Sequence, residues 1–498
     1  MPLNMSAADR LRRSRPVLAV SLALSACTAG PDYHAPAPIV PASFGSGDAG
    51  APQQDMSGWW RRLGDPLLDG LVARAMAANL DVRQAASRIA GARAQERIAG
   101  AGSRPQLGAS AQGSYIRLSK NSNIAEIAGA GTGTPDFGSA GLPGSDFATY
   151  QAGFDASWEI DLFGGTRRAV EAARARSQAA EWSLRDAQVL LAAEVGSAYL
   201  RYRAFDRRIA IADAQLRDGR MLLDFVNTRV RNGLATSLDA RRQEREIARV
   251  AADREGLVAE REAELHALGV LLGQAPLAFA DELRRRAPAP VAPLSVPPGL
   301  PSELLLRRPD IRAAERHLAA ATADIGVAAA ALFPKITLSG AVNLVSTSLA
   351  HLLSIDSLQP NGAGRIGLPL LDGGRRRGAV ALREAQAGEA WLGYQKTVLA
   401  ALRDVEDALS RLEADRRREV QLAASDAAAR DALETARVQY RHGLVPFIDM
   451  LDAQNALGSA EDMLAQARAA TAQDIVSLYK ALGGGWNERM SPAGEGED

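Results

Sequence analysis

An internal repeat constrains this chain more than any other feature of its sequence. Gly443 and Asp449 have counterparts in Gly233 and Asp239, each at an offset of 210 residues. In both copies, a glycine that can adopt a left-handed conformation ends one helical pattern, and another helical pattern begins a few residues later. The sequence therefore predicts a duplicated unit with an equivalent helix-to-helix turn in each half.

Residues farther from the turns extend the repeat. Trp182 matches Trp391 at an offset of 209, and Pro105 matches Pro334 at an offset of 229. The second copy therefore lacks about twenty residues after Pro334. We place the first repeat at 58–283, a Pro-rich linker at 284–301, the second repeat at 302–486 and a C-terminal tail at 487–498.

The N-terminus has the pattern of an export signal. Residues 1–26 contain four arginines, followed by a short apolar run that ends in Leu24-Ser25-Ala26. Cys27 comes next and is the only cysteine in the chain. Because this boundary resembles a bacterial lipobox, we predict a signal peptide over 1–26, lipidation of Cys27 and a lipidated, extended tether over 27–57. A buried free thiol is the alternative for Cys27.

Each repeat combines one long helical pattern with shorter ones and with strands. The long patterns run from Gly165 to Asn232 and from Gly374 to His442. The shorter patterns cover about 66–102, 236–272, 302–332 and 446–482. Alternating polarity predicts strands at about 106–116, 148–161, 335–344 and 362–371.

The apolar positions of these strands are expected to share one face of a sheet. They are Tyr150, Phe154, Trp158, Ile336, Leu338, Ile366 and Leu368. A transmembrane β-barrel and a half-buried soluble sheet both fit this alternation. Four strands cannot close a barrel, since the smallest membrane barrels have about eight. If the sheet lies in a membrane, several chains must share it, because a free edge in lipid leaves backbone groups without hydrogen bonds.

Short motifs spread over the mature chain resemble the TolC/OprM outer-membrane factor family, in particular its lipoprotein, NodT-like branch. Together they cover essentially the whole mature chain in order. The motifs are Gly30-Pro31-Asp32-Tyr33, Trp59-Trp60 with Gly64-Asp65-Pro66, Asp161-Leu162-Phe163-Gly164-Gly165, Arg307-Arg308-Pro309-Asp310-Ile311, Leu371-Asp372-Gly373-Gly374, and Gly443-Leu444 with Asp449-Met450-Leu451-Asp452-Ala453-Gln454.

The resemblance implies a fold of mixed α and transmembrane β class, internally duplicated. Four strands from each chain would contribute to a trimeric, twelve-stranded β-barrel that continues into a long, twelve-helix periplasmic α-barrel. The implied function is a passive exit duct of a tripartite efflux system in the outer membrane of a Gram-negative bacterium. The implied partners are two further copies, outer-membrane lipid, a periplasmic adaptor (membrane fusion) protein and an inner-membrane transporter of the RND type.

The resemblance also implies roles for the two turns. Adaptor hairpins would dock at a tip formed by Gly233, Leu234, Gly443 and Leu444, and Tyr440, Asp449 and Asp452 match residues of the family's gate. Two alternatives stay open: Tyr440 packs beneath the turn, and the carboxylates favour the positive end of a helix dipole.

The sequence departs from the family at Val445, where the best-known member has an arginine that helps to hold the tip shut. Asp239 and Arg242 occupy the first-repeat positions that correspond to Asp449 and Asp452. An Arg242–Asp452 attraction between neighbouring hairpins is therefore one hypothesis for the gate, and an Arg242–Glu246 pair within one helix is the alternative.

Other functional classes find no support in the sequence. Lysine plus arginine and aspartate plus glutamate both number 58, so no excess of positive charge indicates nucleic acid. The five histidines are scattered, and we predict no catalytic site, no metal and no cofactor beyond the lipid on Cys27. The competing function is a lipid-anchored periplasmic coiled-coil scaffold or adaptor, which has no need for the alternating segments.

Overall fold

A computed structural model describes residues 28–37, 41, 43–45, 56–117, 146–285 and 306–486. The signal peptide, Cys27 and the C-terminal tail lie outside these residues, as do most of the tether and of the Pro-rich linker. The domain boundaries that involve them remain predictions.

Long helices dominate the described chain. The helices are α1 (Pro66–Ala78), α2 (Leu80–Ala101), α3 (Gly165–Arg231), α4 (Ser237–Leu271), α5 (Ala280–Arg285), α6 (Pro309–Ala330), α7 (Arg375–Arg441) and α8 (Phe447–Ala481). The helices α3 and α7 have equal lengths of 67 residues, and α4 and α8 have equal lengths of 35 residues. The structure therefore shows the duplication that the offset of 210 predicts.

The predicted helix over 66–102 is two helices. Asn79 separates them, because its backbone is extended with φ −59° and ψ 135°. Its Oδ1 accepts from the backbone N–H groups of Asp81 and Val82, at 2.9 and 3.2 Å, and so caps α2. Its Nδ2 donates to the Leu271 carbonyl at 2.9 Å. The hydrophobic period continues across this position, so the pattern alone does not reveal the break.

Four antiparallel strands form one sheet in the order β1-β2-β3-β4. They are β1 (Gln106–Arg117), β2 (Asp146–Ile160), β3 (Lys335–Ser346) and β4 (Leu358–Gly367). The register pairs Trp158 with Leu338, Phe154 with Val342, and Ile336 with Ile366. Since paired residues lie on the same side of a sheet, one face is apolar, as predicted.

The opposite face is polar. It carries Asp155, Glu159, Lys335 and Arg365 among other polar side chains. Lys335 Nζ donates to Glu159 Oε1 at 2.9 Å across the two central strands. The sheet thus has one face suited to lipid and one suited to water.

The position of β4 differs from the prediction of 362–371. It begins at Leu358 and ends at Gly367, so Leu368 lies beyond the strand and not on its apolar face. Pro360 lies inside β4 and not in the preceding loop, and in the single chain β4 is an edge strand, where proline is tolerated.

The described chain divides into two compact units. The strand unit comprises the described residues within 28–35, 92–177 and 317–390, and the helix unit comprises those within 36–91, 178–316 and 391–486. Among the described residues, no helix combines the length and the mean hydropathy needed to cross a bilayer.

The helix unit has a core of aromatic and aliphatic side chains from several helices. Trp59 is fully buried and stacks on Tyr479 of α8, with ring centroids 5.1 Å apart. Gly196 of α3 makes room for this indole, because a Cβ there would lie 2.9 Å from the Trp59 ring. The Trp59-Trp60 motif is therefore a packing element of this unit.

In the strand unit, the residues after Cys27 are bound to the end of β2 and to two helices. Ala29 N donates to the Phe163 carbonyl at 3.0 Å, and Arg168 of α3 forms an ion pair with Asp32. Gly30 has φ +87°, and a Cβ there would lie 2.4 Å from the Cα of Gly326 in α6. This segment is fixed where the strands meet the helices.

The polarity of the two faces predicts opposite effects for neighbouring substitutions in β3. Val342 lies on the apolar face near the middle of the strand, whereas Asn343 lies on the polar face. Val342→Arg is expected to destabilise the membrane-inserted protein by about 2–4 kcal/mol, and Leu338→Arg by less because it lies nearer the end of β3. Yield in the outer-membrane fraction measures the effect, and Asn343→Arg is the matched control. Equal loss in Val342→Arg and Asn343→Arg would contradict the assignment of the faces.

Candidate functional site

The two predicted turns have the same backbone geometry. Gly233 and Gly443 both have φ +72°, the left-handed conformation that favours glycine. Each glycine N–H and the N–H of the next residue donate back into the preceding helix, Leu234 to the Arg229 carbonyl at 2.8 Å and Leu444 to the Gln439 carbonyl at 2.9 Å. These bonds form the Schellman motif, which ends a helix sharply and satisfies its last carbonyls.

The residues predicted to dock an adaptor are exposed. Leu234 is 64% exposed and Leu444 is 74% exposed. Gly233 and Gly443 precede these leucines, and a Cβ at either glycine would meet open space. Glycine is therefore favoured there only because another residue would be strained at positive φ. Each turn therefore presents one large apolar side chain to its surroundings, as a contact surface for another protein would.

The acidic residues that correspond between the two turns have different surroundings. Thr236 caps α4, and Asp239 completes a capping box in which its Oδ2 accepts from Thr236 N at 3.3 Å. Pro446 replaces this threonine at the start of α8 and has neither a side-chain acceptor nor an N–H. Asp449 therefore has no reciprocal cap to join.

Asp449 and Asp452 are exposed on the first turns of α8. Their spacing of three residues places them on one helix face. Within the described part of the chain, neither carboxylate has a hydrogen bond or an ion pair. They are consequently available to cations or to another subunit, whereas the Asp239 carboxylate is already engaged.

Arg242 contacts neither of the partners that the sequence suggested. Its Nη1 lies 3.7 Å from Asp239 Oδ1 in the same helix. Glu246 instead accepts three bonds from Arg249, so the predicted Arg242–Glu246 pair is wrong. Arg249 lies three residues after Glu246 and binds its carboxylate in place of Arg242. The prediction took only the i,i+4 neighbour of Glu246 into account and not the i,i+3 neighbour.

Tyr440 packs beneath the turn. It is 5% exposed and belongs to a cluster with Val226, Phe447, Met450 and Leu451. Burial raises the pKa of the Tyr440 hydroxyl, which has no hydrogen-bond partner among the described residues. In the single chain, the ring of Tyr440 therefore contributes by packing, and its hydroxyl is unused.

Arg229 joins the two turns and was not recognised from the sequence. Its Nη1 donates to the Tyr440 carbonyl at 3.3 Å, and its Cζ lies 4.9 Å from the centre of the Tyr440 ring. A contact between the two repeats thus exists at the tip, through Arg229 and not through Arg242. Arginine is common in the last turn of a helix because the negative end of the helix dipole stabilises its charge. The sequence therefore does not single out Arg229 as a contact between the repeats.

Within the residues that the structure describes, no group of three or more histidine, cysteine, aspartate or glutamate side chains is placed to hold a metal ion. The chemistry available at the turns is therefore that of apolar contact and exposed carboxylate charge.

Comparison with known proteins shows which family this chain resembles. The family model described as "Outer membrane efflux protein" matches residues 71–274 and 300–484, one segment in each half of the duplication. Outer membrane protein OprJ of Pseudomonas aeruginosa is 34% identical over 478 residues, which cover 95% of this chain and 96% of OprJ. Nodulation protein T of Rhizobium leguminosarum bv. viciae is 31% identical over 474 residues, which cover 93% of this chain and 92% of that protein.

A solved structure has the same fold. The outer-membrane channel OprN superimposes with a TM-score of 0.82 at 33% identity, covering 92% of this chain and 100% of OprN. The resemblance and the fold class predicted from the sequence motifs are both confirmed.

Proposed function

The chain belongs to the outer membrane efflux protein family, and from this premise we propose that it is the passive exit duct of a tripartite efflux system. It is an outer-membrane efflux protein and not an enzyme. The observation that carries the finer proposal is the sheet, which has one apolar face, one polar face and two open edges. A periplasmic scaffold, the alternative function, would gain nothing from such a sheet.

The open edges support assembly of three copies. Among the described residues, β1 pairs only with β2, and β4 pairs only with β3. In a bilayer, the outer backbone groups of both strands need partners, and pairing between copies supplies them. Three chains of four strands give a ring of twelve, which lies within the range of membrane barrels.

The two repeats also differ in burial, which indicates where a neighbouring copy lies. In the strand unit, Ala172 and Ala175 of α3 are buried. The helices α3 and α7 correspond at an offset of 210, so the counterparts of these alanines in α7 are Leu382 and Ala385. Both are exposed, Leu382 at 56%. Among the described residues, this helix surface is therefore covered in the first repeat and bare in the second.

The helix that packs on α3 supports a proposal for the helix that packs on α7. Arg176 of α3 forms an ion pair with Asp324 of α6. By the offset of 229, α2 is the counterpart of α6, and its Ile98 is 64% exposed. We propose that α2 of one copy packs on α7 of the next, as α6 packs on α3 within a copy.

A cross-link tests this assembly. Gln95 and Gln386 correspond to Asp324 and Arg176 at the offsets of 229 and 210. In the double variant Gln95→Cys with Gln386→Cys, a short bis-maleimide is expected to give a ladder that ends at three chains on a denaturing gel. Each single variant is the control and should yield no ladder. Cross-links confined to one chain would contradict the proposed neighbour.

The tip turns support docking and gating. Leu234 and Leu444 present apolar surface, on which we propose that a periplasmic adaptor docks and connects the duct to an inner-membrane transporter of the RND type. Three copies would bring six unpaired carboxylates from Asp449 and Asp452 around one axis, a ring that attracts cations. The Arg242–Asp452 attraction is retained as a contact between copies.

Conductance in planar bilayers tests the channel and its carboxylates together. Asp449→Asn with Asp452→Asn is expected to raise the magnesium concentration for half block on the order of tenfold, because two charges per chain are removed. Asp239→Asn is the matched control, since its carboxylate is held in the capping box. If the protein forms no channel, the proposal that it is a duct is wrong. If magnesium block is unchanged in the double variant, only the proposed gate role of the two carboxylates is wrong.

Two further variants use the same assay. Tyr440→Phe keeps the packed ring and should leave the conductance unchanged, because the hydroxyl has no partner among the described residues. Arg242→Ala should raise the resting conductance if Arg242 reaches Asp452 of a neighbouring copy. An unchanged resting conductance would leave Arg242 to its contact with Asp239.

We also propose that Cys27 is lipidated. The segment from Ala29 to Asp32 is bound beside the end of β2, so an acyl chain on Cys27 would start close to that end of the strands. Metabolic labelling with a radioactive fatty acid is expected to mark the wild-type protein and not Cys27→Ser. An unlabelled wild-type protein would exclude the anchor.

A further inference from the structure

An ion pair that fastens α3 to α4 has no equivalent between α7 and α8. Arg201 of α3 donates to both carboxylate oxygens of Glu264 in α4, at 2.6 and 3.0 Å. At the offset of 210, the counterparts are Arg411 of α7 and Asp474 of α8. Aspartate is one methylene shorter than glutamate, and the described residues include no hydrogen bond or ion pair between Arg411 and Asp474.

Asp474 instead lies against another carboxyl group. Asp415, one helical turn after Arg411, lies within hydrogen-bonding reach of Asp474. The Oδ2 of Asp474 is buried and has no partner among the described residues. Two carboxylates at such a contact repel each other when both are charged, whereas one shared proton turns the contact into a hydrogen bond.

The charged groups that act on this contact are few. Burial raises the pKa of Asp474 to about 6, and the neighbouring Asp415 adds to the rise, whereas Arg411 opposes it. Arg418 Nη1 lies 3.9 Å from Asp415 Oδ1.

The remaining contacts of this stretch are already satisfied. On the preceding turns of α8, Arg468 Nε lies 3.4 Å from Glu419 Oε1, and Thr471 Oγ1 donates to Glu419 Oε2 at 3.1 Å. Towards α3, the adjacent Gln473 uses its uncharged amide to donate to the Ser197 carbonyl at 2.9 Å.

We propose that Asp415 and Asp474 share a proton under mildly acidic conditions and form an acid-operated clasp between α7 and α8. The clasp belongs to the second repeat alone, whose turn carries Asp449 and Asp452. The pair of α3 and α4 is held by an ion pair that persists at neutral pH, so acidification strengthens one helix pair selectively.

The sign of the pH dependence follows from the direction of the shift. The pKa of Asp474 is raised from its ordinary value of 3.8 to about 6 in the folded protein. The protonated contact therefore stabilises the folded pair fully below the unfolded pKa, and this stabilisation is lost as the pH rises through about 6. Above that pH, two charged carboxylates face each other.

Hydrogen–deuterium exchange of the full-length protein in detergent tests the clasp. After correction for intrinsic exchange rates, peptides that cover 405–420 and 465–480 are expected to exchange on the order of tenfold more slowly at about pH 5 than at about pH 7.5. Peptides at the corresponding positions of α3 and α4 should lack this dependence.

Two variants at one position make the test specific. Asp474→Asn keeps the shape and can donate to Asp415 at any pH, so its exchange should be slow at both pH values. Asp474→Glu restores the missing methylene and is expected to reach Arg411, which would also remove the pH dependence. If either variant keeps the wild-type pH dependence, or if the wild type has none, the clasp is wrong.

Asp186 of α3 is the nearest competing explanation. Burial raises its pKa to about 6, and Arg308 and Lys480 lie close to it. Because Lys480 belongs to α8, titration of Asp186 could also reach that helix. Asp186→Asn is therefore the control: the pH dependence over 405–420 should survive in this variant, and its loss would assign the effect to Asp186.

Discussion

A sheet in lipid cannot leave its edges unpaired, and this constraint governs the rest of the structure. The chain supplies four strands whose outer backbone groups face no partner within its described residues. Each unpaired group costs several kcal/mol in a medium without water. Closure between copies removes that cost, and in the assembly that we propose it also covers the exposed apolar side chains of α2 and α7. In that proposal, closure of the sheet and packing of the helices occur in the same assembly step.

Sequence reasoning recovered the features that depend on periodicity and duplication. The offset of 210 predicted equal turns at Gly233 and Gly443, and alternation predicted the apolar face that Phe154, Val342 and their neighbours form. Features that depend on a single side chain were missed. Asn79 breaks a helix whose hydrophobic period continues, and Pro360 belongs to β4 although proline normally predicts a loop.

At the two turns, too, the sequence did not reveal features that depend on single side chains. The sequence placed Tyr440, Asp449 and Asp452 near each other, yet it could not tell which side chains are buried. Packing beneath Gly443 takes the ring of Tyr440 out of water, and Arg229 then occupies the space between the two turns. The choice of Arg249 over Arg242 as the partner of Glu246 depends on side-chain geometry, which local spacing does not determine.

The contact between Gly30 and Gly326 has a practical consequence for protein engineering. A side chain at either position would collide with the opposite backbone, and the bonds of Ala29 and Asp32 fix the path of the chain on both sides. An affinity tag or fluorescent label inserted between Ala29 and Asp32 would therefore displace this segment from its site between α3 and α6. Labels for imaging are better placed in the connection between β3 and β4, where Leu353 and Ile355 are 85% and 79% exposed.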